Sequence, residues 1–337
     1  MGKITVTIID SGISKTFEKD KNIISRIGFE KTYGGIKQND DYIDENGHGS
    51  FCYQAILRRN SNVDFRIIKI LDQNKKAPIE VLIEALKYTL CISTDLICLA
   101  ASISGSTYTE VINTLFEQLC EQNKIILCAR GYEQDRLFPA NSQNAIGIES
   151  EIFRNEENFY YNSKLTIPVK SFGLRMPLMN LAGVPAWVGG NSIACANFTG
   201  IVCDLFEKYG DVGNINYLRK ILQQEMLLRN YNQNDFFDFE HLDEEDYKID
   251  EICMGIVKSY VKVFDIEDYT TLFQFPLFSN KNALTFSKLN NFFVELNQYF
   301  SICINQYEMS CKDIISIYSL ARYIRELLGA EENAKER

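Results

Sequence analysis

Ile4-Thr5-Val6-Thr7-Ile8-Ile9-Asp10-Ser11-Gly12 opens the chain with six strand-forming residues, then an acid, then a turn glycine. A β-branched run this short reads as a strand, and near-continuous apolar strands predict burial on both faces. It begins too early and is too short for the hydrophobic region of a signal peptide. The same texture returns at 65–70, 95–101, 124–129 and 145–148. Between these runs, 78–90 and 109–122 place apolar residues three and four apart, the spacing of helices packed on one side. Strands alternating with helices predict an α/β fold with a parallel sheet covered on both faces, over residues 1–230. In such sheets functional groups gather at the carboxyl ends of the strands.

The 337 residues carry a net charge of -10 and are 46% hydrophobic, enough for a full core. That charge argues against a nucleic-acid footprint or a polybasic membrane patch, both of which need clustered Lys and Arg. No apolar run reaches the roughly 18 residues of a membrane span. The ten cysteines show no C-x-x-C pair, and several sit in apolar runs such as Leu96-Ile97-Cys98-Leu99. They read as buried hydrophobes in a reducing, cytoplasmic setting, with no spacing for disulfides or zinc.

The texture changes at 231–246, polar and strongly acidic, which predicts a linker. Beyond it, 247–337 lacks strand signals and predicts a small helical module, with helices over 247–264, 284–300 and 316–328 and a short one near 311–316.

Three residues stand out chemically. Asp10 ends the first strand. His48 lies between glycines in Asp44-Glu45-Asn46-Gly47-His48-Gly49-Ser50; the other histidine, His241, falls in the acidic stretch and reads as solvated. Ser192 follows Gly189-Gly190-Asn191 and precedes small residues through Gly200, the pattern of a serine at the start of a buried helix. Such a start offers N–H groups and partial positive charge to a developing oxyanion. Each alone also fits a cap or turn residue; the order Asp, His, Ser along an α/β chain is the stronger signal.

With these motifs the sequence resembles the subtilase family of serine proteases. Asp10-Ser11-Gly12 resembles its aspartate motif, Gly47-His48-Gly49-Ser50 its histidine motif, and Gly190-Asn191-Ser192-Ile193-Ala194 its serine motif. The resemblance covers about 1–230 and implies a subtilisin-like sheet with Ser192 as nucleophile, His48 as base and Asp10 as its support. It also implies a substrate-lining strand at Ser102, Ile103, Ser104 and Gly105, and an opposite pocket wall at Ala129, Arg130 and Gly131. Arg130, if turned inward, would favour an acidic or polar residue before the cut. The family's oxyanion-hole Asn is replaced, because Ala129-Arg130-Gly131 runs into Tyr132. The Ser192 backbone N–H remains as donor, with Tyr132, Asn191 or Asn141 as candidate side-chain donors. Ala196 replaces the usual Pro of the serine helix, and Phe51-Cys52 the usual His-Val. With the aspartate strand near Met1, no propeptide is expected. The acidic run 39–45 invites calcium, but a solvated loop is the better reading and no metal site is expected.

Segment 247–327 resembles an acyl carrier protein in outline. Asn282-Ala283-Leu284 stands where carriers have Asp-Ser-Leu, and Ala283 has no hydroxyl to take phosphopantetheine. Together the two resemblances imply a cytoplasmic endopeptidase that removes the leader of a ribosomally made peptide. The helical module would dock a precursor peptide or another maturation enzyme. The alternative is a pseudoprotease or peptide-binding scaffold.

Overall fold

The structure is a computed structural model and describes residues 2–101, 107–131, 137–210, 213–239, 241–242, 249–282 and 284–335. The chain begins with β1 (Ile4–Asp10), β2 (Ile23–Thr32), β3 (Gly35–Asn39) and helix α1 (His48–Arg59). There follow β4 (Val63–Lys69), α2 (Ile79–Leu90), β5 (Leu96–Leu99), α3 (Thr109–Glu121), β6 (Ile125–Ala129) and β7 (Ile146–Glu151). Next come β8 (Phe159–Tyr161), β9 (Val169–Phe172), the pair β10 (Met176–Met179) and β11 (Pro185–Val188), then α4 (Asn191–Tyr209) and α5 (Ile215–Leu228).

The main sheet runs β3-β2-β4-β1-β5-β6-β7-β9-β8. From β2 to β9 in that order neighbours are parallel; β3 and β8 close the edges antiparallel. The fold class read from the sequence is therefore present. β1 lies at the centre of the sheet, and Val6, Ile8 and Ile9 have no exposed surface. Burying each such aliphatic side chain contributes about 1.5–3 kcal/mol before entropy is counted. Helices α2 and α3 cover one face through Val81, Leu82, Leu86, Ile112, Phe116 and Leu119. Helix α4 covers the other, with Ala194, Cys195, Ala196 and Phe198 fully buried against β6, β7 and β9.

The sequence reading missed β2, β3, the short strands after β7, and α5. Strand β2 carries Ser, Arg, Glu and Lys among its apolar residues, and its outer half is paired with an exposed edge, so no clean apolar run announces it.

The chain forms two compact units. The second comprises Phe236–Arg337 together with the short pieces Arg175–Pro177 and Pro185–Trp187. It contains α6 (Glu251–Phe264), α7 (Leu289–Phe300), α8 (Cys311–Ile314) and α9 (Ile317–Lys335), packed on Tyr260, Phe292, Phe293 and Leu296. Within it, Trp187 lies beside Phe286 and Phe293, and its ring N–H donates to Gln306 Oε1 at 3.0 Å. No linear boundary drawn at residue 230 or 247 includes those two strand pieces. Helix α7 starts at Leu289, after a 3-10 turn at Phe286–Lys288, so it does not begin at residue 284 as expected. Ala283 lies outside the described residues.

Candidate active site

Asp10 is the last residue of β1, at the carboxyl edge of the sheet, and is buried. The chain then turns at Gly12, whose φ of +106° suits glycine. A side chain there would also meet the carbonyl oxygen of Tyr42 at 2.3 Å. The turn folds back to hold the start of α1: the Ser11 hydroxyl accepts from Gly49 N–H at 2.8 Å, and the Ser11 N–H donates to Asp10 Oδ1 at 2.7 Å. Gly49 is needed for the same contact, because a Cβ on it would sit 2.4 Å from Gly12 O.

A second group anchors α1 from the other side. Asp44 Oδ1 accepts from the N–H groups of Asn46 and Gly47, and Oδ2 accepts from the N–H and hydroxyl of Ser50. Burial works to raise the Asp44 pKa, but the hydrogen bonds from Ser50 and the loop backbone outweigh it and hold it below the usual value. The carboxylate thus satisfies helix-start donors that Gly47, as N-cap, cannot. The neighbouring acids Asp41 and Glu45 pair with the buried Lys69, at 2.9 and 3.5 Å. The sequence reading treated 39–45 as a solvated loop and did not see Asp44 as the helix anchor; its place three residues before Gly47 was the available signal.

So held, His48 presents Nδ1 to Asp10 Oδ1 at 2.7 Å. With the carboxylate as acceptor, Nδ1 carries the hydrogen and Nε2 keeps the free lone pair. Burial lowers the imidazole pKa, yet the charge and hydrogen bond of Asp10 together raise it above 6.5.

Ser192 is the second residue of α4, whose N-cap is Gly190 with φ +101° and no side-chain cap. The first main-chain bond of the helix is Ala194 N–H to Gly190 O. The N–H groups of Asn191, Ser192 and Ile193 therefore have no acceptor within the helix, and the helix dipole concentrates positive charge there. Helices α1 and α4 pack side by side and parallel. Gly200, eight residues past Ser192, lets α1 approach at Ile56, eight past His48, and at Arg59: a Cβ there would meet Ile56 O at 3.2 Å and Arg59 Cβ at 2.6 Å. Further along, Arg59 and Asn60 both bind Asp204. This parallel packing puts the starts of both helices, and with them His48 and Ser192, at the same end of the pair. The Ser192 hydroxyl itself donates to Ala100 O at 3.1 Å, just past β5.

Asn191 is buried and occupied. Its Oδ1 accepts from Ser150 N–H and its Nδ2 donates to Arg130 O, each at 2.9 Å, so it clamps the ends of β6 and β7. Arg130 gives its guanidinium to Glu149 Oε2 at 2.6 Å, and Glu149 is shared with Lys170, so Arg130 is not an unpaired cation awaiting an acidic side chain. Ala129 ends β6 and Gly131 follows, both buried. Asn141 is exposed in the turn before β7. Ser102, Ile103, Ser104, Gly105 and Tyr132 lie outside the described residues.

Four residues from His48 on α1, Cys52 is wholly buried, and burial pushes its thiol well above the ordinary pKa, so it rests protonated. All ten cysteines are free. No helix among the described residues is long and apolar enough to cross a membrane.

No family model matches the chain, and no curated protein matches it. Among solved structures, a cold adapted subtilisin-like serine proteinase matches with a TM-score of 0.51 at 14% identity, over 65% of this chain and 79% of that one. The chain has the fold of a subtilisin-like serine proteinase.

Proposed function

We propose that the chain is a serine endopeptidase in which Ser192 attacks, His48 acts as base and Asp10 supports it. The observation that carries this reading is the Asp10–His48 hydrogen bond of 2.7 Å, made at the head of the helix that packs parallel beside the Ser192 helix. In this reading Ser192 leaves Ala100 O by rotation about its side chain and gives its proton to His48 Nε2 as Oγ bonds to the scissile carbonyl carbon. The oxygen that gains charge faces the Ser192 N–H at the uncapped helix start. His48 then passes the proton to the leaving amine, and water repeats the sequence on the acyl-enzyme.

The substrate class we propose is the leader of a ribosomally made precursor peptide, cleaved in the cytoplasm. The free, mostly buried cysteines fit a reducing compartment. The separate helical unit supplies a second surface for a precursor or a partner enzyme, and its resemblance to a carrier protein stays part of this proposal.

Labelling by a fluorophosphonate, read by peptide mass spectrometry with Ser192→Ala as control, tests the reading. Adduct confined to Ser192 is expected. The second reading, a peptide-binding scaffold, is favoured by one observation: the Ser192 hydroxyl rests on Ala100. Folded protein that binds peptide but takes no label would establish the scaffold instead.

A further inference from the structure

Side chains on a helix lean toward its N-terminus, so Phe51 of α1 reaches back over Gly47, four residues earlier. The turn after β10 reaches the same glycine from outside the helix. A Cβ on Gly47 would lie 3.5 Å from Leu181 Cγ and 3.6 Å from Phe51 Cε2. Both side chains therefore rest on the residue before His48. Leu181 is 39% exposed, and Val184 at the other end of the same turn is 47% exposed. Single exposed aliphatic residues need no explanation, but a group of them at the head of the helix that carries the base marks a surface that meets a ligand. We infer that Leu181, Val184 and Phe51 form the subsite for an apolar side chain of the substrate just after the scissile bond.

The turn is fixed in place. Asn180 Oδ1 accepts from the N–H groups of Ala182 and Val184, and Gly183 N–H donates to Asn180 O. Gln54, six residues past His48 on α1, ties the turn to the helix. Its Oε1 accepts from Met179 N–H at 2.7 Å, and its Nε2 donates to Met179 O at 2.9 Å. The side-chain amide thus binds both groups of one residue, as a neighbouring strand would. Leu181 is placed by the same helix that carries His48, and Gln54 is its positioning residue. A surface held this way has little freedom left to lose on binding.

The side of the cut follows from the chemistry and rests on the protease reading. His48 binds Asp10 through Nδ1, so Nε2 hands the proton to the leaving amine. The residue that carries this amine starts at the imidazole, one peptide unit from Gly47. An extended peptide advances about 3.3 Å per residue, which brings the Leu181 surface within reach of the first three residues after the cut. The side chains of Leu181, Val184 and Phe51 offer no charge and no hydrogen bond. A carboxylate set against them loses water and gains no partner. In a leader-removing reaction, the residues read here are the first of the released product, not the last of the leader.

The full chain is incubated with a mixture of synthetic decapeptides varied at every position, and the products are read by mass spectrometry. At one of the three positions after the cut, Leu, Ile, Val or Phe should be preferred over Asp and Glu by at least about tenfold. In Leu181→Lys that preference should turn to Asp and Glu, and in Gln54→Ala it should weaken. Leu228→Lys, at the exposed end of α5, should keep the wild-type preference. Fluorophosphonate labelling of Ser192 involves no residue after a cut, so its rate should be unchanged in Leu181→Lys and Gln54→Ala. Circular dichroism checks folding, and Leu181→Ser, expected to abolish the preference, replaces Leu181→Lys if the latter is not folded. Cleavage with no preference after the cut, or a preference that survives in the folded Leu181 variant, overturns the subsite. A folded chain that neither takes the label nor cleaves any peptide overturns the protease reading and the subsite with it, so the label tells the two failures apart.

Discussion

The hydroxyl of Ser192 and the main-chain oxygen of Ala100 are hydrogen-bonded at 3.1 Å, which parks the candidate nucleophile against the end of β5. The bond is a neutral one, of the kind worth about 0.5–1.5 kcal/mol net, so turning the hydroxyl toward His48 is a small cost beside a catalytic barrier. Peptide hydrolysis is therefore expected, and Ser192→Ala should reduce kcat by on the order of 10⁶. Asp10→Asn should reduce it by about 10⁴, because an amide no longer fixes the Nδ1–H tautomer. Steady-state kinetics on a cleaved peptide reads both; equal rates in wild type and Ser192→Ala would end the proposal.

The Asp10 partnership raises the His48 pKa above 6.5, and His48 must be neutral to act as base. The acid limb of kcat/KM should therefore lie above pH 6.5. In Asp10→Asn the burial that lowers the pKa is no longer opposed, and the limb should move to lower pH on a much reduced plateau. An unmoved limb would assign it to another group.

Asp44 holds four donors at the head of α1, so Asp44→Asn, which turns an amide N–H2 toward some of them, should destabilise the fold by about 1–3 kcal/mol. Its folded pKa is lowered, so its contribution is fully present above the unfolded value near 3.8 and is lost as pH falls through the folded pKa. Denaturant midpoints measured between pH 3 and 6 should fall less steeply toward acid in Asp44→Asn than in wild type.

Asn191 is a clamp between Ser150 and Arg130. Asn191→Ala should lower stability by about 1–3 kcal/mol and move kcat through that loosening alone. A loss of about 10²–10³ in kcat with stability unchanged would instead make it an oxyanion donor.

How much was legible beforehand differs from residue to residue. The β-branched, near-continuous apolar run of β1 announced a covered central strand, and the glycines flanking His48 and preceding Asn191-Ser192 announced helix starts where backbones approach closely. Strand β2 was not legible, because an edge-facing strand mixes charges into its apolar pattern. The start of α7 was misplaced because a 3-10 turn and a helix share the same local apolar spacing.

Asp10, His48 and Ser192 were singled out by sequence alone, since strand ends, glycine-flanked helix starts and their order are local properties of the chain. The Asp10–His48 hydrogen bond was a tertiary fact, and parallel packing of α1 on α4, permitted by Gly200, puts the starts of the two helices at one end of the pair. The same holds for Leu181. The spacing of Phe51 from Gly47 is written in the sequence, but no spacing tells that the turn after β10 comes to the same glycine. Distances across elements arise from packing, and packing is where the Asn191 clamp, the Arg130–Glu149 pair and the hold of Gln54 on Met179 were decided.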